Sequence, residues 1–309
     1  MGWFKALAVG GVLTIYGLIV VGAIVRATES GLGCPDWPLC HGKLIPPFEF
    51  HALVEYSHRT LASVVSIFVI ALGALALYAF RRERFTLVLA LSSVGLLLIQ
   101  IAVGGVTVLT ELSPTIVTVH MGTAAALLAM VTVVLTMTVP GPQDSEGTVD
   151  NNLNTLALLT AVAMYALMLL GGYVRATEAT FVCGTWPLCN GEMFPGYELG
   201  IVQMIHRFAA AIVGMMVVFI FAKTWSQGQG QTLVRMLALA LVVLFIAQVF
   251  AGALLMWANV SAFSRVLHVS LGMAAWGVIV ALATATSPYI WARSRYEELP
   301  LSKLNQGLT

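Results

Sequence analysis

Charged side chains are scarce in this sequence. Only 9% of its 309 residues are charged and 59% are hydrophobic, whereas soluble domains carry about 25% charged residues. So few charges could not cover a water-facing surface of this size, which excludes an ordinary soluble domain. The net charge is +1, and no basic stripe is available to neutralise phosphates. We therefore expect no nucleic-acid partner.

Long apolar runs make up most of the chain. Eight of them are long enough, or nearly so, to cross a hydrocarbon layer of ~30 Å. The first run follows Lys5, but it is too long for the apolar region of a signal peptide, and seven more follow. We predict an all-α integral membrane protein in the lipid bilayer, with spans at 6–26, 52–80, 86–110, 115–139, 153–175, 200–223, 232–257 and 262–287.

Lysine and arginine are divided unequally between the two sides of the predicted bundle. Nine lie on the side that holds both termini and six lie on the other side. Because basic residues are enriched in cytoplasmic loops, we expect a plasma-membrane protein with both termini in the cytoplasm. The cysteine-containing loops then lie outside, in an oxidising compartment where disulfides persist.

The strongest pattern in the sequence is an internal duplication. The motif GAIVRATE at 22–29 matches GGYVRATE at 171–178, and CPDWPLC at 34–40 matches CGTWPLC at 183–189, both at an offset of 149 (183 − 34). Two histidines of the first half match two of the second at an offset of 148 (206 − 58 and 268 − 120). A shared offset over so long a stretch makes coincidence implausible.

The duplication predicts two tandem, pseudo-symmetric four-helix bundles. An N-terminal half covers 1–139, a cytoplasmic linker containing Pro140 and Pro142 covers 140–152, a C-terminal half covers 153–290, and a cytoplasmic tail covers 291–309. Each half contains an even number of spans, so the two halves share one orientation about an axis along the membrane normal.

Four histidines take part in this repeat. His58 and His120 lie about two turns into the second and fourth helices, at a similar depth, and His206 and His268 repeat this on the sixth and eighth helices. Two neutral imidazoles that face each other across a four-helix bundle are what axial ligation of haem iron needs. The alternatives are core histidines bonded to carbonyls, and a zinc or copper site without a convincing third and fourth ligand. His41 has no histidine counterpart in the second half, nor has His51, and we interpret both as loop residues.

Five arginines lie next to these histidines or at the helix ends on the cysteine side: Arg26, Arg59, Arg175, Arg207 and Arg265. Guanidinium groups at these places could pair with haem propionates. The alternative is that they extend to the membrane interface as ordinary arginines do. Arg265 lies one turn before His268, and its first-half counterpart is Val117, so any such contact of Arg265 is peculiar to the second half.

The four cysteines form two pairs, Cys34 with Cys40 and Cys183 with Cys189, each enclosing five residues. This spacing is not the C-x-x-C-H motif of covalent haem attachment. A zinc site that included His41 would fail in the second half, where Asn190 replaces the histidine. A disulfide in each outside loop is the favoured interpretation and should contribute roughly 2 kcal/mol. A redox-active thiol pair that accepts electrons is the alternative.

One difference between the halves concerns a carboxylate. Glu55 lies three residues before His58, but Gln203 occupies this position before His206. Residues three apart share a helix face, so Glu55 is predicted to lie over the same site as His58. A carboxylate can exchange a proton or stabilise positive charge, which a glutamine amide cannot. We infer that the first half performs chemistry and the second holds a permanent cofactor, although Glu55 could instead only pair with Arg59.

Taken together, these residues resemble the haem A synthase family, especially bacterial members with a cysteine pair in the outer loop of each half. The resemblance covers essentially the whole chain, including the EYSHR motif at 55–59. It implies oxidation of the ring D methyl group of haem O to a formyl group, giving haem A for terminal oxidases. It also implies haem b on His206 and His268, and substrate haem O on His58 and His120, with Glu55 essential beside the substrate.

The resemblance leaves partners and rival functions to consider. Haem O synthase and an electron acceptor are expected partners. The main alternative is a dihaem b-type membrane electron-transfer cytochrome, which accounts for the histidines but gives no reason for Glu55 in place of Gln203. A transporter with parallel repeats would need broken helices and polar residues at mid-membrane, whereas the apolar runs here are intact.

Overall fold

A computed structural model of the chain describes residues 2–81, 83–139, 151–226 and 232–290. Eight long helices, all apolar enough to cross a membrane, form the described part, and it contains no β-strand. Their bounds are α1 Gly2–Ala27, α2 Phe50–Ala79, α3 Arg84–Leu109, α4 Pro114–Met137, α5 Asn151–Ala176, α6 Glu198–Ser226, α7 Thr232–Trp257 and α8 Ala262–Ala285. The predicted fold class and all eight spans are confirmed, with helix ends that differ by about four residues at most.

Two predicted segments fall largely outside the described residues. Of the predicted linker 140–152, only Asn151 and Asn152 are described, and they begin α5. The predicted tail 291–309 lies entirely outside the described ranges.

The helices of each half pack in chain order into a closed ring. In the first half α1 contacts α2, α2 contacts α3, α3 contacts α4, and α4 returns to α1. The same contacts recur among α5, α6, α7 and α8. The halves meet along a seam in which α8 packs against α1 and α4, and α4 packs also against α5. A repeat in one orientation produces this pattern, since the contact of α4 with α5 is the counterpart of that of α8 with α1.

Tyrosines hold the seam at two equivalent places. The hydroxyl of Tyr16 on α1 donates to the carbonyl of Ser270 on α8 at 3.2 Å. Its counterpart Tyr165 on α5 donates to the carbonyl of Gly122 on α4 at 3.1 Å. A buried phenol needs such a partner, and an apolar environment makes an unpaired polar group costly. Most of the buried apolar side chains of both halves belong to one continuous core, so the seam is a packed interior.

Both cysteine loops lie at the same end of the bundle, which we call the loop end. One loop connects α1 to α2 and the other connects α5 to α6, the latter including the short 3-10 helix Ala179–Phe181. Each loop has a tight turn after its second cysteine, where Cys40 pairs with Lys43 and Cys189 pairs with Glu192 through backbone hydrogen bonds. The two loops therefore repeat one local design.

Candidate functional site

The four repeated histidines lie at matched depths near the loop end. His58 and His206 each stand eight residues after the first residue of their helices, α2 and α6. His120 and His268 each stand six residues after the first residue of α4 and α8. Since all four helices begin at the loop end, the structure places one pair in each half, as the spacing predicted. The four side chains are half-buried.

Each imidazole ring lies against a glycine of the preceding helix. A Cβ atom added to any of these glycines would stand 3.1–3.2 Å from the Cε1 atom of the ring. Such a contact is tighter than usual, so a larger residue there would have to displace the ring or the helix slightly, and glycine gives the helix its close approach. The four pairs are His58 with Gly22, His120 with Gly104, His206 with Gly171 and His268 with Gly252. These glycines obey the repeat offsets of 149 (171 − 22) and 148 (252 − 104), a signal that the sequence analysis missed.

The surroundings of the ring nitrogens indicate what the four histidines can bind. In all four rings the Nδ1 atom is buried, and none has a hydrogen-bond partner among the described residues. A buried polar atom without a partner costs free energy and needs an explanation. The repetition of this feature at four equivalent positions favours imidazoles that bind a ligand.

Two glutamines that the sequence analysis did not single out stand beside two of these rings. The Nε2 atom of Gln100 lies 3.5 Å from the Nε2 atom of His120, and that of Gln248 lies 3.2 Å from the Nε2 atom of His268. The glutamines are 148 residues apart (248 − 100), the same offset as the histidines. Thr123 donates to the amide oxygen of Gln100, whereas the amide oxygen of Gln248 has no partner within the described ranges.

The donor set of each half suits a haem better than a bare metal ion. No group of three or more His, Cys, Asp or Glu side chains in the described part of the chain could hold a metal ion. Zinc and copper sites therefore lack a ligand set there. A pair of imidazoles is enough for an iron whose other four positions are occupied by a porphyrin. The residues present thus fit one haem in each half.

Both cysteine pairs form disulfides. Cys34 is bonded to Cys40 and Cys183 to Cys189, and all four sulfur atoms are buried or nearly so within their loops. The predicted pairing is confirmed. Each disulfide closes the segment that covers the first turns of the following helix, so the loop and the helix that carries the first histidine form one unit.

In the first half this unit is held by an ion pair beneath the loop. Glu55 is only 4% exposed. One carboxylate oxygen accepts the backbone N–H of Cys34 at 2.8 Å, and the other accepts Arg59 at 2.5 Å. Arg59 also donates to the carbonyls of Cys34 at 2.9 Å, Asp36 at 2.9 Å and Leu39 at 2.6 Å. The alternative pairing with Arg59 therefore exists, and it extends into the cysteine loop.

The second half keeps the arginine of this arrangement and loses the carboxylate. Arg207 donates to the carbonyls of Thr185 and Pro187, both at 2.9 Å. Gln203 is 6% exposed, but its amide oxygen is buried with no partner among the described residues. The loop contacts of Arg59 and Arg207 account for these two arginines without a propionate, and a propionate role for either stays a prediction.

His41 closes the first loop in the way that Asn190 closes the second. The Nε2 atom of His41 lies 2.9 Å from the carbonyl oxygen of Gly33, and the amide of Asn190 donates to the carbonyl of Val182 at 2.9 Å. Both residues have positive φ, 54° and 52°, a backbone conformation that asparagine tolerates well. His41 is thus an exposed loop residue, as predicted.

His51, the remaining histidine, is not a loop residue, and that prediction is wrong. α2 already begins at Phe50, so His51 lies in its first turn. Its Nδ1 atom is 2.9 Å from the hydroxyl of Ser30, which ties the start of α2 to the segment that follows α1. The helix start predicted at residue 52 is two residues too late, within the usual error for helix ends.

Comparison with known proteins agrees with this geometry. A family model described as cytochrome oxidase assembly protein matches residues 5–52 and 47–281. Among curated relatives, a protein of Shouchella clausii named heme A synthase is 32% identical over 257 residues, covering 78% of this chain and 84% of the relative. Heme A synthases of Halalkalibacterium halodurans (31% over 230 residues, 72% and 76%) and Symbiobacterium thermophilum (29% over 279 residues, 87% and 91%) are also similar.

Proposed function

The chain belongs to the family of cytochrome oxidase assembly proteins, and from this premise we propose that it is a haem A synthase. In this proposal it oxidises the ring D methyl group of haem O to a formyl group and so supplies haem A to terminal oxidases. The observation that carries the proposal is the pair of imidazoles at one depth in each half, each with a buried Nδ1 atom lacking a described partner. The relatives named heme A synthase support it.

We assign the two haem sites to different roles. His206 and His268 would hold haem b as the resident cofactor, which would take up and pass on electrons. His58 and His120 would hold haem O as the substrate. Support for this division comes from the one ionisable difference beside the ligands, Glu55 against Gln203, because only the carboxylate can exchange a proton.

Glu55 is the residue that we assign to the chemistry. With water as the source of the oxygen atom, oxidising a methyl group to a formyl group would release four protons and pass four electrons to a separate acceptor. A nearby carboxylate can accept a proton or stabilise a developing positive charge. Glu55 stands one helical turn from His58, and its two oxygens are held by the Cys34 N–H and Arg59. A fixed carboxylate loses little orientational freedom when it acts, so the loop contacts would serve catalysis as well as stability.

The arginines that donate no hydrogen bond to a cysteine loop are our candidates for binding haem propionates. Arg26 and Arg175 lie in the last turns of α1 and α5, and Arg265 lies in the first turn of α8. All three stand at the loop end, one turn beyond the histidine sites. Guanidinium groups bind carboxylates in a bidentate geometry, which suits this role.

The remaining parts of the proposal concern membrane orientation and partners. We propose a plasma-membrane location with both termini in the cytoplasm and the loop end outside, supported by the distribution of lysine and arginine and by two disulfides at the loop end. Haem O synthase would deliver the substrate, and a separate acceptor would receive the electrons.

The proposal can be tested in membranes of a host that makes haem O but no haem A. Extracted haems are separated by chromatography from cells with and without the full chain. We expect haem A only in cells that contain the chain, and one tightly bound haem b in the purified protein. Two tightly bound b haems and no haem A in any extract would instead support an electron-transfer cytochrome.

A further inference from the structure

Three arginines of both halves converge at the loop end of the seam. Arg26 ends α1, Arg175 ends α5 and Arg265 begins α8. Arg175 lies near enough to both Arg26 and Arg265 for their charges to repel it. Arg26 and Arg175 are equivalents in the repeat, so each half contributes one member by symmetry, and Arg265 adds a third.

Among the described residues, no carboxylate forms a salt bridge with any of these three arginines. Glu29 and Glu178 lie close enough to attract Arg175, but neither comes within 4.0 Å of it. Three positive charges in a partly buried place repel one another, and hydration stabilises them less than it would at the surface. Such a cluster is stabilised when an anion binds among its members.

Two of the guanidinium groups are already held in position without a carboxylate. Arg265 donates to the carbonyl of Ala27 across the seam at 2.9 Å, and its Nε atom is buried without a partner among the described residues. The guanidinium carbon of Arg175 lies 5.9 Å from the centre of the Phe181 ring, a cation–π distance. The buried Nε–H of Arg265 is therefore a donor that still lacks an acceptor.

The helix positions of the three arginines relate them to both histidine sites. Arg26 lies four residues after Gly22, and Arg175 four after Gly171. Both glycines contact a histidine ring. Arg265 lies three residues before His268. Residues three or four apart share a helix face, so each arginine stands one turn from a histidine site, toward the loop end.

We propose that Arg26, Arg175 and Arg265 form one oxyanion-binding site that both halves share. The ligand is a carboxylate or a phosphate, both of which guanidinium groups bind through paired hydrogen bonds. Two sources have this chemistry: a propionate of a bound haem and the phosphate of a phospholipid headgroup in the leaflet at the loop end. The site itself is independent of the reaction, and only the first source rests on the proposed function.

Arginine footprinting of the purified full chain tests this site. Phenylglyoxal reacts with free guanidinium groups, and mass spectrometry gives the rate of modification for each arginine. The protein is compared in two kinds of nanodisc, one of phosphatidylcholine alone and one of phosphatidylcholine with phosphatidylglycerol. Each kind is prepared with protein of high and of low haem content, as measured by absorbance. We expect modification of all three arginines to slow together by roughly tenfold in the protecting sample, as for an anion at about ten times its dissociation constant.

The samples separate the two sources. Protection that follows haem content in both lipids identifies the propionate, and protection that follows phosphatidylglycerol at low haem content identifies the headgroup. Arg81, an exposed arginine at the opposite end of the bundle, is the reference. Its rate should not follow haem content, and any slowing by phosphatidylglycerol should be smaller than that at the three arginines. Unchanged rates at all three arginines across every sample would overturn the proposal, whether or not the protein makes haem A.

Two variants test whether the three arginines act as one site. Arg265→Val copies the first half, which has Val117 at this position, and it should abolish most protection at Arg26 and Arg175. Arg81→Gln removes the same charge elsewhere and should leave protection intact. If Arg265→Val does not fold, Arg26→Gln breaks no described hydrogen bond and should expose Arg175 and Arg265. Full protection of the remaining two arginines in a folded variant would mean separate contacts and would overturn the shared site.

Discussion

The loop ends of the two halves have the same architecture but differ in how the first turns of α2 and α6 are held. In the first half Glu55 joins the Cys34 N–H to Arg59. In the second half Gln203 occupies the same place, and its amide oxygen has no partner among the described residues. Both arginines still bind their loops. A loop of this design can therefore fold with a glutamine at this position, so the carboxylate is not a general requirement of the architecture.

The difference also has an energetic side. A buried carboxylate is costly unless it is paired, and in the first half one arginine and one backbone N–H meet that cost. A glutamine can occupy the same place, as Gln203 does in the second half, although its amide oxygen has no partner among the described residues. The carboxylate of Glu55 thus points to a function in the first half that the second half lacks.

The largest effect is expected from removing a ligand of the second half. His206→Ala or His268→Ala should abolish tightly bound haem b, because one imidazole alone cannot supply both axial ligands. His58→Ala and His120→Ala should leave that haem in place. Absorption spectra of the four purified variants provide the measurement. A normal low-spin haem b spectrum in both second-half variants would contradict the assignment of the ligands.

Glu55→Gln makes the first half imitate the second at the position that distinguishes them. Haem A formation should fall by about 10²–10⁴-fold, the usual contribution of a general base, while haem b stays bound. The control is Gln203→Glu, which should create no second active site because haem b would already fill that pocket. Chromatography of extracted haems measures both variants. Near-normal haem A from Glu55→Gln would show that the carboxylate only pairs with Arg59.

The sequence predicted the helices, the repeat, the disulfides and the paired histidines because each leaves a local or periodic signal. The pair of Glu55 with Arg59 follows from their spacing of four residues on one helix. The contact of Glu55 with the Cys34 N–H could not be predicted, since it depends on how the loop backbone folds over α2. The glycines and glutamines beside the histidine rings are also repeated at the offset of the two halves. Neither residue type is a typical metal ligand or acid–base group, so the sequence alone does not mark them as part of a site. Their meaning becomes visible only when packing places Gly171 against His206.

The glycines allow each half to be disturbed separately. Gly171→Ala would bring a methyl group to 3.1 Å from the His206 ring, and overpacking of this kind costs about 1–3 kcal/mol. We expect weaker haem b retention, whereas Gly22→Ala should spare haem b and lower haem A formation. Gly277→Ala, with open space at its Cβ position, is the control. Haem loss during detergent washing gives the measurement, and equal retention in Gly171→Ala and Gly277→Ala would contradict the argument.

The two disulfides should be equivalent for stability and different for activity. Cys34→Ser and Cys183→Ser each open a small loop, and each should lower the free energy of unfolding by roughly 2 kcal/mol. Only Cys34 has a backbone N–H that holds the carboxylate of Glu55, the residue proposed to act in catalysis. We therefore expect Cys34→Ser to lower haem A formation beyond its effect on stability. Thermal unfolding and haem analysis separate the two effects, and equal losses of activity would remove the proposed positioning role of the first loop.

The smallest expected effect concerns Asp36, a carboxylate of the first loop whose equivalent position in the second loop has no acidic residue. The backbone N–H groups of Gly42 and His41 donate to Asp36 at 2.7 and 2.6 Å, and the bond from Gly42 is the main reason that the pKa of Asp36 lies below its ordinary value of 3.8. The second loop has Thr185 at this position.

A carboxyl group whose pKa is lower in the folded state stabilises that state only while it is ionised. Its contribution to the first loop is therefore complete above an ordinary pKa of 3.8 and is lost as the pH falls through the lowered value. The rate at which a phosphine reductant opens the Cys34–Cys40 disulfide should rise in that acidic range, while that of Cys183–Cys189 should change less. Asp36→Asn, which keeps one acceptor oxygen, should remove this difference in acid sensitivity between the two loops. If Asp36→Asn keeps the full acid response, contacts other than those of the ionised Asp36 hold the turn, and the charge of Asp36 does not stabilise the first loop.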